Sequence, residues 1–286
     1  MIRSILSQFV SQFVSLCFVS LCVWGGLLSK PLKAQEMQYP LAVAKAPSGE
    51  IYVADRNLPG IWKIVDGKAT VYFQGSKKFR TPLNAVRCLA IGADGTLFAG
   101  DSSTREVYKF DAEGKPQPLT KGYIGIPMGI VIDSKGDLFV ADLERHAVFK
   151  VPASNGEVTE FVKCSAPRGI AIDSKDRVWI LANVNDSLVR YSPDKSAEVI
   201  VKGTPFEFPN QLVLDEEETA YLCDGYAKAI WQVKAGGQPE KLISGEPLKN
   251  PVGITKDGGK LIVADPHLKS LFSIDVAGKT AAKIFP

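Results

Sequence analysis

One unit of about 42 residues, repeated six times, fills the chain from Tyr39 to its end. The aligned segments are "YPLAVAKAPSGEIYVAD", "VRCLAIGADGTLFAGD", "PMGIVIDSKGDLFVAD", "PRGIAIDSKDRVWILA", "PNQLVLDEEETAYLCD" and "PVGITKDGGKLIVAD". They open at Pro40, Val86, Pro127, Pro167, Pro209 and Pro251, in steps of 46, 41, 40, 42 and 42 residues. A period in this range means a repeat architecture, in which no unit buries its own apolar surface and its neighbours must cover it.

Each unit holds four short apolar runs. The third run begins six residues beyond a recurrent Asp, as in "IWKIV" and "VFKVP", and a fourth follows, as in "ATVYFQG" and "VTEFVKC". Runs of four to six residues, rich in Val, Ile, Leu and aromatics and bounded by Gly, Asp, Ser or Pro, read as antiparallel strands; none is long enough for a helix. Four strands per unit and six units predict an all-β fold, a six-bladed β-propeller. Stacked blades explain two columns of large side chains as core between blades: Tyr52, Phe98, Phe139, Trp179, Tyr221 and Ile262, then Trp62, Tyr108, Phe149, Val189, Trp231 and Phe272. The Asp at 55, 101, 142, 224 and 265 reads as structural, because a catalytic residue has no reason to recur in every blade. Ala182 replaces it in the fourth copy, with Asn183 beside it to serve the turn.

The pattern in "PMGIVIDSKGDLFVAD" resembles the NHL repeat over residues 39–286, with departures at Val86, Cys88 and Gln211. That resemblance implies six blades around a central channel. A relationship to gluconolactonase and senescence-marker propellers is carried by "PNQLVLDEEETAYLCDG". It implies a divalent cation such as calcium or zinc, with Asn210 as a matching ligand, but Leu41 stands where that family places an acid.

Residues 1–34 form a separate object. Arg3 precedes an uncharged run from Ser4 to Ser29, followed by Lys30 and Lys33 and no acid. This reads as an export signal cut after Ala34, or as an uncleaved anchor over residues 4–29. The expectation is an exported protein, periplasmic or extracellular, that touches a membrane only through this segment. The remaining 252 residues carry 31 basic and 31 acidic side chains. A neutral body argues against nucleic acid as a partner, since backbone affinity needs an excess of Lys and Arg. The three cysteines beyond the leader are widely spaced and read as buried thiols.

Strand alternation sends the residue after each Pro, and the loop after each Asp, to one mouth of the channel. Arg87, Met128, Arg168, Asn210, Tyr226, His146 and His267 are the candidate ligand-binding residues there. Arg87 and Arg168 occupy the same column two blades apart, and guanidinium forks suit a carboxylate or phosphate. His146 and His267 are the only histidines, in the third and sixth blades, too few for the zinc set of NHL-like amidating lyases. No nucleophile elbow, phosphate loop or zinc-protease motif is present. The reading is a binding module without a cofactor, leaning away from an enzyme, whose ligand is a small molecule, a glycan or a protein segment. The alternative is a metal-dependent lactonase of the gluconolactonase kind, its catalytic residues unidentified.

Overall fold

The structure, a computed structural model, describes residues 36–234 and 236–285. The leader expected over residues 1–34 lies outside them. Six four-stranded antiparallel sheets follow one another in sequence order, each built from one contiguous stretch of chain. The first comprises Pro40–Lys45, Ile51–Asp55, Gly60–Val65 and Lys68–Gln74, from the inner strand outward. Blades 2 to 6 occupy 86–118, 127–163, 167–201, 209–244 and 253–285. Inner strands touch their successors around the ring, and the first touches the last. The all-β six-bladed propeller is therefore as the repeat arithmetic requires. Among the described residues no helix is long and apolar enough to cross a membrane.

Both side-chain columns are core, because a strand alternates faces and each blade has a neighbour on both sides. The second-strand residue packs toward the following blade and the third-strand residue toward the preceding one. Tyr52 and Tyr108 share the cluster between blades 1 and 2, while Trp62 and Ile262 share that between blades 6 and 1. Six such clusters lie at the six interfaces. The ring closes through the last of them, where Met37, Val43 and Trp62 meet Ala264 and Leu271; blade 6 draws its outer strand, Thr280–Phe285, from the C-terminal end of the chain.

The recurrent aspartates are fully buried and tie two loops together. Asp142 accepts from the amides of Gly125 and Ile126, which lead into the inner strand, and from Glu144 and Arg145 beyond the second strand. Asp55 adds the Trp62 indole N–H at 3.0 Å. Each carboxylate satisfies amides that no strand ladder reaches. In blade 4, where Ala182 offers no acceptor, His146 of blade 3 substitutes. Its Nδ1 accepts from the Ala166 amide at 3.1 Å, and the Asn183 amide reaches the Glu207 carbonyl.

Candidate functional site

The inner strands place their second residue in the channel by a repeated device. Pairing with the second strand skips Leu41, Arg87, Met128 and Arg168, and on blade 5 skips Asn210 with Gln211. A β-bulge frees a residue from the ladder and re-aims its side chain. Glycine follows this position in blades 3, 4 and 6, where the next inner strand passes closely. A Cβ on Gly169 would lie 2.3 Å from the Asn210 carbonyl oxygen, and one on Gly253 would lie 2.7 Å from that of Leu41.

The bulge residues line a cavity of about 640 Å³. Leu41, Arg87, Met128, Arg168, Asn210 and Val252 all contribute, so the whole column converges on one space. Arg56, Tyr226 and His267 join from the loops after the aspartates. His146 does not line it, because its ring is engaged with the Ala166 amide at the approach to blade 4. Asn84 is likewise held away by the Ser76 carbonyl. Spacing alone did not single out Tyr39, Phe208 and Asn250, each the residue before the Pro position. The same column holds only Ala85, Ile126 and Ala166 in blades 2 to 4, so the polar and aromatic wall belongs to blades 5, 6 and 1.

The lining includes Arg56, Arg87, Arg168, Lys228 and Lys249 and no carboxylate. Among the described residues, the arginines that pair with acids are Arg105, Arg177 and Arg190, none of them in the cavity. Lys249 meets Glu246. Arg87 donates through Nε to the Ser102 hydroxyl at 3.1 Å, and burial together with nearby Arg56 holds its guanidinium below the ordinary value. Burial does the same to Arg168. A guanidinium does not lose its proton in a protein, so both side chains carry a full positive charge in a partly desolvated setting. Arg168 lies over the Phe208 ring at 4.0 Å, and Phe208 stacks on Tyr226 with centroids 4.5 Å apart and planes 16° from parallel.

The donors do not suit the divalent cation implied by the gluconolactonase resemblance. Calcium takes six to eight oxygens, preferably carboxylates, and zinc takes Cys, His or carboxylates. This cavity offers the amides of Asn210, Gln211 and Asn250 amid fixed positive charge, and the Asn210 Nδ2 already donates to the Phe208 carbonyl. No group of three or more His, Cys, Asp or Glu capable of holding a metal occurs among the described residues. Nor is a thiolate at hand, since burial pushes Cys88 up to about 12 and Cys164 to about 11, and raises Cys223 well above its ordinary value.

No protein-family model matches the sequence. No curated protein matches it either. Solved structures do match, at identities that establish the fold. A catalytically inactive histidine-to-alanine variant of virginiamycin B lyase from Staphylococcus aureus, with quinupristin, is 18% identical; the match covers 89% of this chain and 86% of that one, with a TM-score of 0.68. A gluconolactonase from Xanthomonas campestris is 14% identical over 83% and 86% of the two chains, with a TM-score of 0.71. A nidogen/laminin complex matches at 18% identity over 86% and 93%, with a TM-score of 0.68. These matches correct the leaning away from an enzyme. Lyases and a gluconolactonase share the arrangement of blades, so a repeat of this kind is no argument against catalysis.

Proposed function

We propose that the protein is an enzyme whose active site is the channel cavity and whose substrate carries a carboxylate. The carrying observation is a space lined by five cations, one histidine and no acid. Paired carboxylates for general acid and base work are absent from it, and so is a donor set for a hard cation. Such a lining suits proton abstraction next to a carboxylate. Arg87, Arg56 and Arg168 would hold the anion and stabilise the enediolate that forms when the α-carbon loses its proton. His267, at the mouth, would take that proton on its unprotonated ring nitrogen. The electron pair left on the α-carbon then forms the double bond as the bond from the β-carbon to oxygen breaks, and the leaving oxygen is protonated by water. The likeness to a lyase whose histidine-to-alanine variant is inactive supports a part for a histidine.

Lactone opening is the second reading, supported by the gluconolactonase likeness. Here His267 would activate water and the arginines would stabilise the oxyanion. A cavity, rather than a flat charged face, favours a small molecule over a protein partner. The uncharged run over residues 4–29 supports export of the enzyme to a periplasmic or extracellular setting.

The test offers the purified protein a panel of β-acyloxy and β-alkoxy carboxylic acids and of sugar lactones. Elimination is read as a new conjugated double bond, and hydrolysis as oxygen-18 taken up from labelled water. The expected result is elimination, lowered at least 100-fold by His267→Ala and unchanged by His146→Ala. Labelled hydrolysis without alkene formation would replace elimination by the second reading. Activity that survives His267→Ala would remove the histidine from the mechanism.

A further inference from the structure

The stack on blade 5 does more than surround an anion. Tyr226 is 67% exposed although Phe208 covers one of its ring faces, so the other face is open at the cavity. Phe208 is fixed behind it. Its amide donates to buried Asp224 at 2.9 Å, its carbonyl accepts from the Asn210 side chain at 3.1 Å, and the Arg168 guanidinium lies over its ring at 4.0 Å. The result is a platform of stacked phenyl and phenol rings held in place by these contacts.

Amides crowd its base. A Cβ on Gly225 would lie 2.3 Å from the Asn250 side-chain oxygen and 3.5 Å from the Asn210 side-chain nitrogen, so glycine there lets both amides sit directly beneath Tyr226. Gln211 adds a third amide to the lining. The Asn210 amide already donates to the Phe208 carbonyl, and a carboxylate alone uses the arginines and leaves the Gln211 and Asn250 amides idle. An aromatic acid would cover the platform yet still leave them without partners when water is displaced, which costs binding energy. A pyranose ring meets both needs, since its C–H face lies on an aromatic ring while its hydroxyls point outward to side-chain amides.

We infer that Tyr226, backed by Phe208, is the specificity-determining platform for a sugar ring, and that the substrate class is a uronic acid or a chain of them. This rests on the anion-binding reading of the same cavity and adds the ring. In such a sugar the C5 proton is adjacent to the carboxylate and the C4 oxygen is β to it, which is the arrangement required for elimination.

The test titrates the full chain with D-glucuronate, D-glucose and benzoate by calorimetry or ligand-observed NMR. Glucuronate should bind at least tenfold more tightly than either of the others. Tyr226→Ala should weaken it about tenfold while Tyr226→Phe retains it, and Arg87→Met should reduce glucuronate to the level of glucose. Benzoate binding as tightly as glucuronate, or no effect of Tyr226→Ala, overturns the sugar assignment and leaves the anion site standing. Absence of binding by both acids overturns the anion reading together with it.

Discussion

Single side chains in this protein divide by what their charge meets. On the face opposite the cavity, Asp173 has partners at both of its oxygens. Asp173 accepts from the Trp179 indole at 2.9 Å, from the Lys175 and Arg177 amides and from the Arg177 guanidinium. Burial alone would raise its pKa, but these bonds outweigh burial and hold the group below the ordinary aspartate value. A depressed folded-state pKa contributes stability above the unfolded value of about 3.9 and loses it as pH falls through the folded value. Asp173→Asn should therefore lower the melting temperature at pH 7 by several degrees and leave a smaller gap at pH 3; an equal gap at both would mean that the charge contributes nothing. The arginines that line the cavity form no ion pair with an acid among the described residues. The column that holds Arg87, Arg168 and Asn210 was readable from the sequence, because strand alternation puts one position per blade at the mouth. Phe208 and Asn250 were not, because the matching position in blades 2 to 4 is Ala or Ile and gives no polar pattern. His146 was misleading for a related reason, since only the fold shows it standing in for the aspartate that blade 4 lacks.

Within a blade, the recurrent aspartate matters more than strand length. Blade 2 keeps its place although its outer strand is only Pro116–Pro118, because Asp101 holds both loops at the inner end. Removing such a carboxylate strands several buried amides at once. Asp142→Ala should cost about 3 kcal/mol and lower the melting temperature by about 6–12 °C, measured by calorimetry. A change under 2 °C, within the ordinary range for a surface substitution, would show that water replaces the carboxylate. The four-strand pattern, the hairpin glycines and the aromatic columns could be read from sequence because each follows a local period. The bulge after the Pro position could not, since a skipped pairing partner leaves no compositional trace.

A neutral body can still be polar end to end. The face away from the cavity joins neighbouring blades by ion pairs, Lys45 with Asp257, Lys256 with Glu216, and Arg177 and Arg190 with Glu218. The loops around the cavity carry Lys77, Lys78, Arg80 and Lys121, while Glu144 there is taken by Arg105 and Glu246 by Lys249. Equal totals of acid and base thus conceal a cavity whose lining holds five cations and no carboxylate, which draws anions in and makes their capture sensitive to salt. Half-buried Arg87 and Arg168 carry a desolvation cost that an anion would offset, so their loss should not destabilise the scaffold. The decisive measurement is citrate binding, by calorimetry at low salt, to the native chain and to the Arg87→Met, Arg168→Met double variant. The native protein should bind citrate, progressively more weakly as salt rises. The double variant should lose at least tenfold in affinity while melting at the same or a higher temperature. Equal affinity in the two proteins, or no binding to either, would contradict the assignment of this cavity as an anion site.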